Sequence, residues 1–251
     1  MDWRAVWVVL ALVLAGCGSV ATGAETPRET LTPVPVPEVT DTPATLPPGV
    51  SGASVTDTDA LLDAHATAIQ GRSYTLTVDV RTGSERSRRV LRVETPRRYL
   101  QRDTLAEPWG SATQFADGER LYIRTDYRST VEYGSIKSVN PPRSQTVQLS
   151  RAFLRLDEVR VAETRVNGDA AYELTGQYPV HPAVDTMENV TLRAVVEPDG
   201  FIRSLNISYA RRSDSVRTNI TRSFVYTGVD ATTVERPAWV DREFNVTIDR
   251  P

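Results

Sequence analysis

Residues 190–209, VTLRAVVEPDGFIRSLNISY, decide the fold of this chain. Apolar and polar residues alternate on both sides of Asp199-Gly200, a dipeptide typical of tight hairpin turns. Such alternation indicates strands with one covered face and one solvated face, and a short turn pairs neighbouring strands antiparallel. The stretch therefore predicts a β-hairpin whose apolar face must be covered by another part of the chain.

The same two-residue period continues along most of the remaining chain. Asn167-Gly168 is a second hairpin signal, and Asp117-Gly118 marks a further turn. Short turns throughout predict a strongly curved antiparallel sheet of about 8–10 strands. The apolar residues expected to share its concave face are Tyr74, Leu76, Val78, Leu121, Ile123, Tyr172, Leu174, Leu192, Leu205, Ile207 and Phe224.

Two segments have a helical pattern instead. The first begins at Asp57 or Thr58 and ends at Gly71, with apolar residues at helical spacing between them. Residues 146–156 form the second, and a last strand is expected from Phe244 onward. The fold class is therefore α+β: a half-barrel of antiparallel strands wrapped over two short helices.

The N-terminus has the pattern of an export signal. Residues 5–15 are an apolar run that is too short to span a bilayer as a helix but fits the apolar region of a signal peptide. Leu14-Ala15-Gly16 then precedes Cys17, the only cysteine, and this resembles a lipobox. The resemblance implies cleavage after residue 16, a diacylglycerol on Cys17 and a location on the extracytoplasmic face of the cell membrane. The alternative is an ordinary signal peptide or an uncleaved anchor with a chance cysteine.

Residues 17–56 are expected to form a tether. Seven of the 16 prolines fall between Pro27 and Pro48, interleaved with threonine, valine and alanine. Such a segment favours extended polyproline II conformations. It predicts a spacer between Cys17 and a single folded domain over residues 57–251; a proline-rich ligand segment or an O-glycosylated stalk is the alternative.

Four of the six asparagines stand in Asn-X-Ser/Thr sequons. Each falls on the polar parity of its predicted strand, so we expect their side chains to face solvent. Exposed sequons on an exported chain are candidate N-glycosylation sites; alternatively, threonine and asparagine simply alternate on wet strand faces. The four are Asn189, Asn206, Asn219 and Asn245.

The composition excludes several functional classes. Acidic residues exceed basic ones, 32 to 29, which argues against a nucleic-acid-binding protein. One cysteine and two histidines leave too few ligands for a disulfide framework or a zinc site. Known catalytic motifs are absent, so we expect no enzyme activity, cofactor or metal. His65 is expected to pack between helix and sheet, and His181 to lie in a solvated loop.

Arginines are concentrated in the early strands. They predict either a surface for an anionic partner or the wet face of a sheet in a lysine-poor protein. They are Arg86, Arg88, Arg89, Arg92, Arg97, Arg98 and Arg102.

The lipobox, the Thr/Pro tether and the helix-then-strands order together resemble a family of uncharacterised haloarchaeal lipoproteins. The closing segment, residues 234–240, resembles theirs as well, and one lysine against 28 arginines fits that archaeal source. More distantly, the layout is similar to lipoprotein carriers of the LolA type and to mycobacterial lipid-binding lipoproteins. These resemblances imply a half-barrel that holds acyl chains between sheet and helices.

Two functions follow as expectations. The first is a membrane-anchored monomer that binds or carries an apolar or lipid-like ligand between the concave face and the helices. It predicts an apolar cavity of several hundred Å³ there. The alternative is a structural or interaction protein of the cell envelope, displayed on a stalk, with another envelope component as its partner and no small-molecule ligand.

Overall fold

A computed structural model describes residues 45–105, 110–137, 159–181, 184–213 and 216–244. These residues form one antiparallel sheet and two short helices, which confirms the predicted fold class. The described sheet has thirteen strands, more than expected. The predicted helix at residues 146–156 lies outside the described residues.

The elements are numbered in chain order. The helices are α1 (Thr58–Ala68) and α2 (Ala238–Phe244). The strands are β1 (Val50–Ser51), β2 (Ser54–Val55), β3 (Tyr74–Thr82), β4 (Glu85–Thr95), β5 (Arg98–Thr104), β6 (Ser111–Asp117), β7 (Leu121–Tyr127), β8 (Thr130–Ile136), β9 (Arg160–Val166), β10 (Asp169–His181), β11 (Val184–Val196), β12 (Ile202–Ser213) and β13 (Val216–Thr227).

The strand order is β1-β2-β9-β10-β11-β12-β13-β3-β4-β5-β6-β7-β8. Neighbours in sequence are neighbours in the sheet, except where β13 pairs with β3 and β2 with β9. The pair β13–β3 joins the two halves, with Phe224 directly opposite Val78. Because β1 and β8 end the order, the described sheet is open. The face that carries Val78 is called the inner face, and the opposite face the outer face.

The sheet begins before the expected domain boundary at residue 57. Val50 pairs with Val55 in the β1–β2 hairpin, and Ser54 pairs with Arg160 of β9. The carbonyl of Gly49 accepts hydrogen bonds from the N–H groups of the two residues that precede α1. The end of the expected tether is therefore part of the fold, because its backbone completes one edge of the sheet.

Helix α1 forms where the sequence predicts it. Asp57 caps it, because its side chain accepts a hydrogen bond from the backbone N–H of Ala60 at 2.9 Å. Leu61, Leu62 and His65 are fully buried. The helix thus covers part of the inner face with its apolar side.

The C-terminal residues 228–244, here called the strap, cross the outer face. A second hydrophobic cluster joins Trp239 and Val240 of the strap to Leu100, Phe115 and Tyr122. Strand pairing places those three residues in one row with Arg92 of β4. Arg92 follows Leu91, which belongs to the inner cluster, and adjacent residues of a strand point to opposite faces. The row therefore lies on the outer face. The expectation of a last strand from Phe244 is wrong for that residue, which ends α2. Both faces of β5–β7 are therefore apolar.

Candidate functional site

The eleven residues predicted for the concave face all lie on the inner face of the sheet. Nine of them are buried and belong to the cluster that also contains Leu61 and Leu62 of α1. Leu121 and Ile123, on β7, are half-buried. The registers of eight strand pairs connect the eleven positions. The inner face is thus the largest continuous apolar surface that the described strands build together.

At one end of this face, α1 is held by His65. Its Nδ1 accepts a hydrogen bond from the backbone N–H of Ile202 at 3.1 Å, and its Nε2 lies 3.5 Å from the Tyr226 hydroxyl. The ring also stacks on Phe201 with 5.7 Å between centroids. Burial lowers the pKa of His65 to about 4, against an opposing effect of Asp199. His65 is therefore a neutral packing residue, as predicted.

The other end of the inner face carries a charged side chain. It was not predicted from the alternation of apolar and polar residues, because it occupies a position where that alternation calls for an apolar residue. Arg222 of β13 lies directly opposite Val80 on one side and Ile207 on the other. Its Nε is buried and has no hydrogen-bond partner. The sequence signal is a gap in the apolar parity, since Ile220 and Phe224 flank it two residues away on the same face. One guanidinium thus stands among aliphatic neighbours.

A second polar group interrupts the inner face on β4 and β5. Arg89 lies opposite Val78, and its Nε donates to the carboxylate of Asp103 on the facing strand. Asp103 is 8% exposed and also accepts a hydrogen bond from the side chain of Gln101 at 2.6 Å. The sequence analysis did not predict this cluster, because Arg89, Gln101 and Asp103 are polar residues at strand positions that face the apolar side of the sheet. Unlike Arg222, these groups neutralise one another.

The outer face over β10–β13 is polar and grooved. One open groove of about 420 Å³ is lined by Thr175, Thr191, Arg193, Asn206 and Ser208, among others. A neighbouring groove of about 420 Å³ includes Asn189. These grooves are not the predicted apolar cavity, which would lie on the inner side beside α1.

The three sequon asparagines in the described residues are exposed, as expected from their parity: Asn189, Asn206 and Asn219. Asn245 and the predicted lipidation site, Cys17, lie outside the described residues. Glycosylation of the exposed asparagines stays a prediction.

The arginines of the early strands fall into two groups. Four are hydrogen-bonded to acidic side chains or to strap carbonyls: Arg86, Arg89, Arg92 and Arg98. Arg88 and Arg102 on the strands, and Arg97 in the turn between β4 and β5, are exposed. Much of the arginine cluster therefore serves to hold the sheet and the strap together.

Three further observations bear on the expectations from the sequence. His181, expected in a solvated loop, is 3% exposed at the end of β10, because the strand extends further than its proline-containing sequence indicates. Within the described ranges, no group of three or more His, Cys, Asp or Glu side chains is placed to hold a metal ion. Neither described helix is long and apolar enough to cross a membrane.

Fold and site define a protein with an open, curved antiparallel sheet and an apolar inner face that contains isolated charged groups. The chain belongs to a family of unknown function, DUF7537, whose model matches residues 3–243. Comparison with curated protein sequences gives no significant match. Among solved structures, the chain is similar to a LolA superfamily protein from Nitrosomonas europaea at 11% sequence identity. That match covers 76% of this chain and 97% of the other, with a TM-score of 0.25.

Proposed function

We propose that this protein is a lipoprotein anchored at Cys17 on the extracytoplasmic face of the cell membrane, where its inner face binds an apolar or lipid-like ligand. It would then be one of the haloarchaeal lipoproteins that its sequence resembles. The observation that carries it is the inner face itself, whose apolar surface continues beyond the contacts that His65 of α1 makes.

The extent of that surface follows from the strand register. His65 of α1 contacts the inner face at Phe201, Ile202 and Tyr226. Ile220 lies on the same face of β13 as Tyr226, and six residues of a strand span about 20 Å. Ligand sites in proteins are mostly apolar with a few placed polar groups. The far end of the inner face has this composition.

Purified protein tests the ligand. We expect native mass spectrometry of the protein from its membrane to show an added mass, and solvent extraction to release an acyl or isoprenoid lipid. Substitution Ile207→Glu places a carboxylate on the inner face and is expected to abolish the added mass. The matched control is Ser208→Glu, which changes the neighbouring residue on the outer face. Wild-type protein that carries no lipid and binds none in vitro would overturn the proposal.

The anchor is tested separately. Two acyl chains hold a protein stably on a bilayer, so we expect the full-length protein to sediment with membranes and Cys17→Ser to move it to the soluble fraction. Mass spectrometry of the N-terminal peptide is expected to show diacylglycerol on Cys17. An exported chain with a free thiol at that position would contradict the anchor without touching the ligand.

One observation favours the alternative, an envelope interaction protein without a ligand. Nine of the eleven residues proposed for the concave face are buried already, as in a filled core. Under this alternative, the exposed outer face with its sequons is the functional surface, and crosslinking on intact cells should recover an envelope partner. Ligand-free protein with an outer-face partner would support it.

A further inference from the structure

We propose that Arg222 is the binding site for the anionic group of the ligand, so that the ligand is an acidic amphiphile: an apolar chain that ends in a carboxylate or phosphate. This inference rests on the proposed function and specifies its substrate class. It is carried by the position of Arg222 on the inner face and by its buried Nε, which has no hydrogen-bond partner.

The position follows from the register. Arg222 shares a row across the sheet with Val80, Ile207 and Leu192. Its neighbours along β13 on the same face, Ile220 and Phe224, are buried. An arginine side chain in this row is surrounded by aliphatic and aromatic groups rather than by water-facing polar ones.

The electrostatics of Arg222 differ from those of Arg89, which also lies on the inner face. Arg89 has Asp103 directly opposite, and their charges cancel. Arg222 faces Val80 and Ile207, and its buried Nε has no hydrogen-bond partner. Withdrawing a charged donor from water without a partner is unfavourable. An anionic group at this point would restore the lost hydrogen bonds, and a guanidinium suits carboxylate and phosphate because it donates two parallel bonds.

The row also provides a site for the apolar part of such a ligand. Gly176 ends the row on β10, and the ring of Tyr178 lies over it, 3.0 Å from where a Cβ would be. Val80 and Tyr178 are half-buried and pack against the inner cluster. Gly176, Leu192 and Ile207 are buried, so solvent reaches the row from its Val80 side, next to Arg222.

The test uses full-length protein that carries Cys17→Ser, so that no detergent competes for the site. The probes are cis-parinaric acid, a fluorescent fatty acid, and its uncharged methyl ester. We expect the wild-type inner face to bind the acid about tenfold or more tightly than the ester, because a hydrogen bond to a charged group contributes that much. Arg222→Gln is expected to remove this preference and to leave ester binding unchanged.

Two further variants control the result. Arg222→Lys keeps the charge and is expected to retain most of the preference, whereas Arg88→Gln, which removes an exposed outer-face arginine, should leave both affinities unchanged. Circular dichroism checks that each variant is folded. If Arg222→Gln does not fold, Arg222→Lys takes its place as the test. A smaller preference for the acid than in the wild type would support the role of Arg222, and an unchanged preference would contradict it.

The possible outcomes separate the two proposals. Equal binding of acid and ester, unaffected by Arg222→Gln, would overturn the role of Arg222 and leave the apolar site intact. Binding of neither probe would overturn the proposed function. Displacement of the bound acid by millimolar inorganic phosphate would indicate a site for free anions and contradict an amphiphilic ligand; we expect no such displacement.

Discussion

The imidazole of His65 accepts a hydrogen bond from the backbone N–H of Ile202 at 3.1 Å, and this bond ties α1 to the start of β12. A ring nitrogen can accept in this way only when it carries no proton. The proton of the neutral ring then resides on Nε2, which faces the Tyr226 hydroxyl at 3.5 Å. The attachment of α1 to the sheet therefore depends on His65 being neutral.

This dependence predicts that the protein loses stability in mild acid. The pKa of His65 is lowered from 6.5 to about 4 by burial, so the unfolded chain binds a proton that the folded chain excludes between these values. Stability is complete above pH 6.5 and falls as the pH approaches 4, with a loss of about 2 kcal/mol at pH 4.5. Urea denaturation at pH 7.5 and 4.5 measures it.

The substitution His65→Gln isolates this effect from the titration of carboxylates. The variant should be less stable than the wild type at pH 7.5 but should lose about 2 kcal/mol less on acidification. The same acid sensitivity in both proteins would show that His65 does not cause it.

The sequence predicts those parts of the fold in which one face is apolar and the other polar. The β11–β12 hairpin, α1 and the exposure of Asn206 are of this kind, because period and turn residues act locally. Strand β5 departs from it: Tyr99 and Leu100 are adjacent and both buried, one on each face, since the strap covers the outer side. No local pattern announces that a segment 130 residues later will provide this cover.

The candidate site also contains a residue that the local sequence pattern does not predict. The alternation of apolar and polar residues predicts which residues lie on the inner face, but it omits Arg222. A charged residue at an apolar position of the alternation looks like a break in the strand pattern. Its significance appears only when the register shows what stands on either side of it: Val80 and Ile207, and no acid.

Gly49 tests whether the fold begins before residue 57. Its φ is +79°, and a Cβ there would lie 2.0 Å from the carbonyl oxygen of Asp57. Gly49→Ala should therefore destabilise the protein by about 3 kcal/mol, because backbone must move at the start of α1. The control is Gly71→Ala, with a φ of +78° but open space around it, which should cost about 1 kcal/mol. Equal losses in urea denaturation would place Gly49 outside the cooperative unit.

The strap gives a prediction about the outer face. Trp239 is 7% exposed and packs in the cluster with Phe115 and Tyr122. Trp239→Ala should lower the free energy of unfolding, measured by urea denaturation, by about 3 kcal/mol through the cavity it leaves. Arg242→Ala, on the exposed side of the same helix, should leave stability nearly unchanged. Similar behaviour of both variants would mean that the strap does not hold the outer face.

The pair Arg89–Asp103 predicts a strong coupling within the inner face. Asp103→Leu leaves the Arg89 guanidinium without its carboxylate, and Arg89→Met leaves the 8%-exposed carboxylate without its guanidinium. Each single change should cost about 2 kcal/mol, whereas the double variant should lose less than about 1 kcal/mol, because apolar groups then replace both charges on an apolar face.

A matched pair on the outer face provides the comparison. Arg86 and Asp79 form an ion pair at 2.8 Å with side chains 57% and 29% exposed. The same double-mutant cycle there, Arg86→Met with Asp79→Leu, should give a coupling below about 0.5 kcal/mol, since water screens both charges. Urea denaturation of the wild type, the four single variants and the two double variants yields both couplings. If the inner coupling is as small as the outer one, the inner face is wetter than an apolar site requires, and the affinity of Arg222 for an acidic amphiphile would lose its electrostatic basis.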